Sequence, residues 1–436
     1  MAKYITVKEA LALVQSGDYI VTGLGAAEGR AFLTELHTIA DRVNNVMVSN
    51  CLSMGAYEFM VNPAYKGSFR TESWFYTPAL RKAQANGNVS FIYNHLHMCS
   101  YKRLSYRKPD IYVGICSMPD KHGYVSLSVS NTYEKQMIQN AKTVILECNP
   151  NAPRTFGDVQ IHSTDIDYMI QVDYPLPELA DVEPNEKDRI IGKYIADMIH
   201  DGDCIQLGIG GIPNAVADSL MDKKDLGIHT ELFTTGMVKL IKAGVVNNSR
   251  KKLLPGKSVA VMAMGTKELY DFVDDNPAIC IMDGSYLNDP AVIAQNDNQI
   301  SINSTIEVDL FGQCCSESIG PVQFSGTGGQ ADTAIGAQKS KGGRSVIALY
   351  STAMVKNKAT GEREETSKIV ATLKPGAAVS LSRNDVDWLV TEYGAVCLRG
   401  TCMSERARLI ISIAHPNFRE QLTKEAIALG IIPAEE

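Results

Sequence analysis

Residues 201–210 read DGDCIQLGIG, and residues 16–25 read SGDYIVTGLG, which repeats the same pattern of glycine, aspartate and isoleucine at an offset of 185 residues. A second match aligns residues 109–130 with residues 303–318 and places Gly123 on Gly312, at an offset of 189. A third match aligns DIDYMI, which begins at Asp165, with DVDWLV, which begins at Asp385, at an offset of 220. Three matches in the same order predict two similar halves, the second with insertions.

A proline-rich and acidic segment separates the two halves. Residues 174–188 read YPLPELADVEPNEKD, with three prolines and five acids, which is the composition of a linker. We place the boundary near residue 183, which gives a domain at 1–183 and a second at 184–436 that carries the candidate chemistry. Apolar strand-like runs alternate with amphipathic helical patterns in both domains, which predicts an α/β fold of two tandem halves with mainly parallel sheets. One helical stripe is expected at Ile190, Ile191, Tyr194, Ile195, Met198 and Ile199.

Composition excludes several classes of protein. The chain has 436 residues, a net charge of −7 and 45% hydrophobic residues, as expected of a soluble globular protein. Without a basic stripe, binding to nucleic acid is not expected. Apolar runs are too short to span a membrane, and the N-terminus has no signal-peptide pattern. The ten cysteines lie mostly in apolar segments without C-x-x-C spacing, which indicates buried thiols in a cytoplasmic protein.

Glycine-rich loops are the first candidate binding elements. The segment from Gln206 to Val216 follows a strand and leads into a helix, and such a turn can bind a phosphate or an oxyanion. The dinucleotide fingerprint fails because Pro213 stands where its third glycine would be, and the P-loop pattern fails because Lys251 replaces its first glycine. Residues 324–332 form another glycine-rich loop. Each loop taken alone is also typical of a tight structural turn.

Metal, serine and thiol chemistry find little support in the sequence. His95, His97 and Cys99 would share one face of a strand, but no fourth ligand is visible, so structural histidines are the better interpretation and no metal site is predicted. The G-x-S-x-G elbow of serine hydrolases is absent. The adjacent Cys314 and Cys315 lack the spacing of a redox pair and are expected to be buried.

Three glutamates lie in otherwise apolar or small-residue segments: Glu231 in GIHTELFTTG, Glu307 in STIEVDLFG and Glu392 in LVTEYGAV. Burial would raise the pKa of such a carboxylate and leave its anion poorly solvated and nucleophilic. Each glutamate could equally be a capping or ion-paired acid with a structural role.

Five motifs in order resemble the acetyl-CoA hydrolase/transferase family. They are GIGGIPNAV at 208–216, LGIHTE at 226–231, NSTIEVDLFGQ at 303–313, QFSGTGGQAD at 323–332 and SRNDVDWLVTEYG at 382–394. The resemblance covers nearly the whole chain and is nearest the branch of 4-hydroxybutyrate and butyryl-CoA:acetate CoA-transferases. It implies the class I CoA-transferase fold, similar to NagB and RpiA, in both halves.

The resemblance also implies roles for individual residues. Glu231 is expected to be the catalytic nucleophile, which forms a glutamyl-CoA thioester. Coenzyme A is expected as a substrate, and no permanently bound cofactor is expected. The residues expected to bind CoA are Gly208, Ile209, Gly210, Gly211, Ile212, Ile306, Gly329 and Lys356. Glu392 is expected to support the site. Members of the hydroxybutyrate branch can carry glutamine at the position of Glu307, which argues against Glu307 as the nucleophile.

The expected activity is a ping-pong transfer of CoA between short-chain acyl-CoA and carboxylic acids, with butyryl-CoA or 4-hydroxybutyryl-CoA and acetate as substrates. Two alternatives stay open: an acyl-CoA hydrolase on the same fold, and a module that binds phosphate ligands. The sequence departs from many relatives at Thr234-Thr235-Gly236, where they read S-D-G, so its acyl preference can differ. A homo-oligomer, either a dimer or a tetramer, is also expected from the resemblance.

Overall fold

The computed structural model describes residues 2–357 and 360–434. An eight-stranded sheet, in which every neighbouring pair is parallel, forms the centre of the first half in the order β1-β11-β8-β6-β2-β3-β4-β5. The strands of this half are β1 Lys3–Tyr4, β2 Tyr19–Thr22, β3 Val46–Asn50, β4 Phe69–Ser73, β5 Val89–Phe91, β6 Ile111–Cys116, β7 Tyr124–Ser126, β8 Thr143–Cys148, β9 Phe156–Gly157, β10 Gln160–His162 and β11 Tyr168–Gln171.

A six-stranded sheet forms the centre of the second half, in the order β13-β12-β18-β23-β27-β28, and only its last pair is antiparallel. The strands of this half are β12 Cys204–Leu207, β13 Gly227–Ile228, β14 Leu232–Phe233, β15 Ser258–Ala260, β16 Met262–Ala263, β17 Ile279–Ile281, β18 Gln299–Ser304, β19 Glu307–Asp309, β20 Cys314–Cys315, β21 Ser318–Ile319, β22 Val322–Gln323, β23 Arg344–Ala348, β24 Thr352–Lys356, β25 Arg363–Ser367, β26 Ile369–Val370, β27 Trp388–Thr391 and β28 Gly394–Cys397.

Helices cover both sheets. They are α1 Val7–Ala12, α2 Arg30–Glu35, α3 Glu58–Val61, α4 Pro78–Gln84, α5 Cys99–Tyr106, α6 Glu134–Asn140, α7 Glu186–Ala196, α8 Gly211–Asp218, α9 Thr235–Lys242, α10 Lys267–Val273, α11 Gly284–Leu287, α12 Pro290–Ile293, α13 Gln330–Lys339, α14 Met403–Ser412 and α15 Pro416–Ala428. None of the helices in the described ranges is long and apolar enough to cross a membrane.

The two sheets contain the same five-strand arrangement. The order β11-β8-β6-β2-β3 in the first half corresponds to β27-β23-β18-β12-β13 in the second. The sequence matches fall on equivalent strands, because the offset of 185 carries β2 onto β12 and the offset of 220 carries β11 onto β27. The prediction of an α/β fold with two similar halves and mainly parallel sheets is therefore confirmed.

The connection between the halves contains no helix or strand from Val172 to Asn185. The proposed boundary near residue 183 lies in this connection and stays a prediction. Beyond it, α7 begins with a capping box in which the side chains of Asn185 and Asp188 accept hydrogen bonds from each other's backbone N–H groups. The halves also share a small sheet, since β9 pairs with β17, and one apolar cluster contains residues of both.

The apolar stripe of α7 is narrower than the sequence suggests. Ile191, Ile195 and Ile199 are fully buried, but Ile190 and Tyr194 are each 38% exposed, so that part of the prediction is wrong. The cause is the close packing of α7 on α8, where a side chain on Gly192 would come within 2.8 Å of the backbone of Ala215. So close a contact between two backbones buries a narrow face and leaves the flanking residues in solvent.

Parallel pairing places the carboxyl ends of β13, β12, β18, β23 and β27 along one edge of the second sheet. In open α/β sheets this edge is where ligands bind. Glu231, the glycine turn after β12 and Tyr350 follow strands at this edge, and Ser304 is the last residue of β18. The fold therefore gathers several of the residues singled out in the sequence at a single site.

Candidate active site

Glu231 lies where the chain leaves the second sheet. It follows β13 by three residues and directly precedes β14. Its backbone carbonyl accepts hydrogen bonds from the N–H groups of Val261 and Met262, at 3.0 and 3.1 Å. The backbone of the predicted nucleophile is thus fixed by two hydrogen bonds.

His229 anchors the segment that leads to Glu231. Its Nε2 lies 2.9 Å from the carbonyl oxygen of Leu287, and its Nδ1 lies 3.0 Å from Nδ2 of Asn296. Burial, together with the nearby Lys251 ammonium, lowers the pKa of His229 to about 3. The imidazole is therefore neutral, with Nε2–H as donor and Nδ1 as acceptor, and it positions the segment instead of exchanging protons.

The carboxylate of Glu231 is held by an amide from another part of the chain. Nδ2 of Asn288 donates a hydrogen bond to Oε2 at 3.0 Å, and the backbone N–H of Gly329 also donates to the carboxylate. Burial, reinforced by the negative charge of Asp332, raises the pKa of Glu231 to about 7, against the lowering effect of these two bonds. A carboxylate in this state is poorly solvated and is a stronger nucleophile than one in water.

Gly329 is required by this arrangement. A Cβ atom at this position would lie 1.9 Å from Oε2 of Glu231 and 2.2 Å from Nδ2 of Asn288, which no real contact allows. The glycine thus lets the backbone of the glycine-rich loop at 324–332 approach the carboxylate closely. Its neighbour Gly328 has φ of +53°, a left-handed conformation that other residues rarely adopt.

The glycine-rich loop at 324–332 packs against the first half of the chain. A Cβ on Gly326 would lie 2.4 Å from the backbone oxygen of Trp74, so the two backbones are in direct contact. The N–H of Leu96 donates to the carbonyl of Gly328 at 3.1 Å, and His97 binds Asp332 through its ring Nδ1 at 2.8 Å and its backbone N–H at 3.1 Å. The site is therefore built between the two halves.

A cavity of about 310 Å³ lies in front of Glu231. The second half contributes the glutamate and both glycine loops, and the first half contributes a largely apolar wall of Leu24, Cys51, Leu52, Trp74, Phe75, Asn94, Leu96, Cys99 and Thr132. Among the lining residues in the described part of the chain, Glu231 is the only carboxylate, and none is a lysine, arginine or histidine. The cavity thus combines one reactive carboxylate with an uncharged surface.

Two cysteines in the wall are poor rivals as nucleophiles. Cys51 and Cys99 both line the cavity, and burial raises the pKa of each thiol well above its ordinary value. Since the thiolate is the reactive form of cysteine, these side chains are inert at neutral pH. Cys314 and Cys315, which are adjacent in the sequence, are buried away from the cavity, as expected.

The predicted CoA-binding residues fall into two groups. Gly208, Ile209 and Gly329 line the cavity together with Glu231. The remaining residues lie outside the cavity lining: Gly210 on an adjacent small pocket, Gly211 and Ile212 in the first turn of α8, Ile306 in the short link after β18, and Lys356 in solvent at the end of β24. Their contacts with CoA stay predictions.

The other two candidate glutamates have partners that explain them. Glu392 accepts hydrogen bonds from the backbone N–H and hydroxyl of Ser351, at 2.8 and 2.9 Å, and pairs with Lys187 at 2.9 Å. Glu307 lies 3.5 Å from the Lys374 ammonium. Neither lines the cavity, so both correspond to the ion-paired alternative, and a supporting role for Glu392 stays a prediction.

Local sequence patterns missed several residues of the site. Asn288 lies on no motif, and its contact with Glu231 joins positions 57 residues apart. The pair His97 and Asp332 was also missed, although His97 stood in a noted histidine pair and Asp332 in a family motif. Within the described ranges, no group of three or more His, Cys, Asp or Glu residues could hold a metal ion.

Comparison with models of known families shows to which family the chain belongs. A family model described as the acetyl-CoA hydrolase/transferase N-terminal domain matches residues 1–177, and one described as the C-terminal domain of the same family matches residues 265–426. The chain belongs to the acetyl-CoA hydrolase/transferase family. The resemblance seen in the sequence motifs is thereby confirmed.

Two curated relatives cover nearly the whole chain. The chain is 42% identical over 418 residues to the succinyl-CoA:cyclohexane-1-carboxylate CoA transferase of Geobacter metallireducens, which covers 96% of this chain and 93% of the relative. It is also 42% identical over 427 residues to the 4-hydroxybutyrate coenzyme A transferase of Clostridium kluyveri, with 97% of both chains covered. These relatives confirm the expected enzyme class, a CoA-transferase.

Solved structures confirm the predicted fold. RipA from Yersinia pestis superposes with a TM-score of 0.90 at 36% identity and covers 99% of this chain and 98% of its own. The 4-hydroxybutyrate CoA-transferase of Porphyromonas gingivalis superposes with a TM-score of 0.81 at 34% identity, with 98% of both chains covered.

Proposed function

We propose that this protein transfers CoA between short-chain acyl-CoA and carboxylic acids in a ping-pong reaction, with Glu231 as the nucleophile. The observation that carries the proposal is the Glu231 carboxylate itself, the only one lining an otherwise uncharged cavity in the described chain, with its pKa raised to about 7. The names of the relatives supply the reaction class. The covalent mechanism is our inference from the chemistry of the site.

The reaction proceeds by acyl exchange between carboxylates. Glu231 attacks the thioester carbonyl of acyl-CoA, and the C–S bond breaks to give an enzyme-bound mixed anhydride and CoA thiolate. The thiolate then attacks the glutamyl carbonyl, releases the carboxylate and leaves a Glu231–CoA thioester. A second carboxylate reverses both steps and leaves as its CoA ester. Since glutamate resembles the substrate carboxylates, each exchange is nearly isoenergetic and needs no ATP.

Each tetrahedral intermediate carries an oxyanion that needs hydrogen-bond donors. The turn at Ile209 and Gly210 and the loop from Gly326 to Gly329 present backbone N–H groups at the cavity, and we propose that they supply these donors. Loss of one such donor typically lowers kcat roughly 10²- to 10³-fold. The apolar wall of the first half keeps water from the intermediates, which favours transfer over hydrolysis.

We propose butyryl-CoA or 4-hydroxybutyryl-CoA as the acyl donor and acetate as the acceptor. An uncharged cavity wall favours acyl chains without a second carboxylate, since a charge buried without a partner is costly. Two names among the relatives, 4-hydroxybutyrate coenzyme A transferase and butyryl-CoA:acetate CoA-transferase, agree with this choice. We further propose that the protein acts in the cytoplasm as a homo-oligomer, either a dimer or a tetramer.

The covalent intermediate is tested by trapping it. Wild-type protein is incubated with butyryl-CoA, treated with borohydride or hydroxylamine, and digested for mass spectrometry. We expect a modified peptide at Glu231 and its absence in Glu231→Gln, which should also lose acetate-dependent transfer. Glu307→Gln is the matched control, because Glu307 lies outside the cavity lining. An unmodified Glu231 together with transfer by Glu231→Gln would rule out the mechanism.

A further inference from the structure

Two lysines flank one tyrosine at the ligand-binding edge of the second sheet. Nζ of Lys187 lies 5.9 Å, and Nζ of Lys368 lies 5.7 Å, from the centre of the Tyr350 ring. Tyr350 follows β23 by two residues, Lys187 belongs to α7, and Lys368 links β25 to β26. We refer to Lys187 and Lys368 as the Tyr350 lysine pair. Neither lysine was singled out by the sequence motifs.

Among the described residues, Lys368 has no anionic partner. Its side chain is part-buried, yet across residues 2–357 and 360–434 its ammonium has neither a hydrogen bond nor an ion pair within 4.0 Å. Burial lowers its pKa, and the charges of Glu392 and Glu307 only partly oppose this effect. Charged groups removed from water are normally paired, so an unpaired, part-buried ammonium is suited to bind an anionic ligand.

The carboxylates nearby do not neutralise the Tyr350 lysine pair. Glu392 pairs with Lys187 and is further satisfied by Ser351, and Glu307 has its own lysine, Lys374. The Asp188 carboxylate accepts a hydrogen bond from the Tyr350 hydroxyl but forms no ion pair with either lysine, so among the described residues Lys368 is left without an ion pair. The cavity lining in the described part of the chain includes no cation, so a positive charge for an anionic ligand has to lie farther along the edge, as this pair does.

Shared neighbours connect the Tyr350 lysine pair to the cavity. The Tyr350 hydroxyl donates to Asp188 at 2.6 Å, and the same carboxylate packs against Gly211, at the end of the glycine turn that borders the cavity. Ser304, which lines the cavity, pairs in the sheet with Ala348, two residues before Tyr350. The edge is therefore continuous from the cavity to the pair.

The distance between Glu231 and the Tyr350 lysine pair suits an elongated ligand. Glu231 follows β13, and Tyr350 follows β23, which is the third strand from β13 in the sheet order. Strands lie about 4.8 Å apart, so the two ends of the edge are roughly 14 Å apart. Coenzyme A has its thiol at one end of an extended pantetheine arm and its diphosphate at the other, which matches a nucleophile and a pair of cations separated along an edge.

We propose that Lys187 and Lys368 bind the phosphate groups of coenzyme A, while the pantetheine arm crosses the ends of β12 and β18 to bring the thiol to Glu231. The inference rests on the proposed function only in taking CoA as the ligand of the cavity. It assigns the phosphate contacts to residues other than Lys356, the lysine expected from the sequence. Phosphate binding would also supply the counter-charge that Lys368 lacks.

The test is equilibrium binding measured by calorimetry with two probes, coenzyme A and pantetheine, which has the thiol arm but no phosphate. We expect Lys368→Met and Lys187→Met each to weaken CoA binding roughly 10- to 100-fold, the range for loss of a charge-assisted bond, and to leave pantetheine binding unchanged. Lys368→Arg should retain most of the CoA affinity. Lys424→Met, at a 73% exposed lysine on α15, should bind both probes like wild type.

The possible outcomes separate this inference from the proposed function. Equal weakening of both probes in Lys368→Met, or no weakening of either, would overturn the phosphate contact. Thermal unfolding of each variant shows whether a loss of binding comes from misfolding. If Lys368→Met is misfolded, the binding of the two probes is compared in Lys368→Arg instead. Because no turnover is measured, the result does not depend on whether Glu231 forms a thioester, and a failed trapping experiment would leave it intact.

Discussion

Substitution of Gly329 by alanine tests the geometry of the nucleophile directly. The new Cβ would lie 1.9 Å from Oε2 of Glu231, whereas an ordinary contact needs at least 3.4 Å, so the carboxylate has to move by about 1.5 Å. The backbone itself tolerates alanine, since φ of Gly329 is −104°. A misplacement of about 1 Å at a reacting group costs roughly 10²-fold in rate, and we expect kcat for acyl transfer to fall by at least this factor.

The assay is steady-state transfer from butyryl-CoA to acetate, with the acetyl-CoA product resolved by chromatography. The free energy of unfolding should change little, because the displaced group is the end of a side chain that can move into the cavity. Gly67→Ala is the matched control, since Gly67 has open space around it and does not line the cavity. A kcat of Gly329→Ala within twofold of wild type would refute the placement of the Glu231 carboxylate against this glycine.

Three further outcomes follow from the site. With the pKa of Glu231 at about 7, kcat/KM should fall as pH drops below 7 and the carboxyl becomes protonated. Asn288→Ala removes a hydrogen bond that lowers the pKa of Glu231, so in this variant the fall in kcat/KM should begin at higher pH. His97→Gln keeps a donor to Asp332 but removes the positive charge that the Asp332 carboxylate favours on His97. The fall in kcat/KM should therefore begin at higher pH, with KM for acyl-CoA unchanged. An unaltered pH profile would contradict this. Succinate, which matches butyrate in length but adds a carboxylate, should be a poorer acceptor by at least roughly 10-fold, and equal kcat/KM values would contradict an uncharged acyl site.

Repeats and strands were predictable because their signals are local. The pattern of Gly17 and Asp18, repeated at Gly202 and Asp203, marks the start of equivalent strands, and the structure places β2 and β12 at equivalent positions. The resemblance to a known family marked Glu231 as the candidate nucleophile among similar glutamates, and the structure places it in the cavity lining; its catalytic role stays a prediction. On composition alone it could not be separated from Glu392, whose apolar surroundings look alike.

Pairing across the chain was not predictable from local patterns. Glu392 is explained by Ser351 and Lys187, which both lie far from it along the chain, and Asn288 reaches Glu231 from the C-terminal end of α11. Such contacts depend on how strands are ordered in the sheet, and that order is not encoded in any short window of sequence. The same reason explains why the Tyr350 lysine pair had no signal in the motifs.

The division of the cavity between the two halves has a consequence for how this enzyme can change. Its reactive carboxylate, the amide that holds it and the glycine beside it all come from the second half, whereas the apolar wall comes from the first. Substitutions at Leu52 or Trp74 can therefore reshape the space for the acyl chain without moving Glu231. Selectivity and reactivity are thus separately tunable, because the residues that form the apolar wall and the carboxylate belong to different halves of the chain.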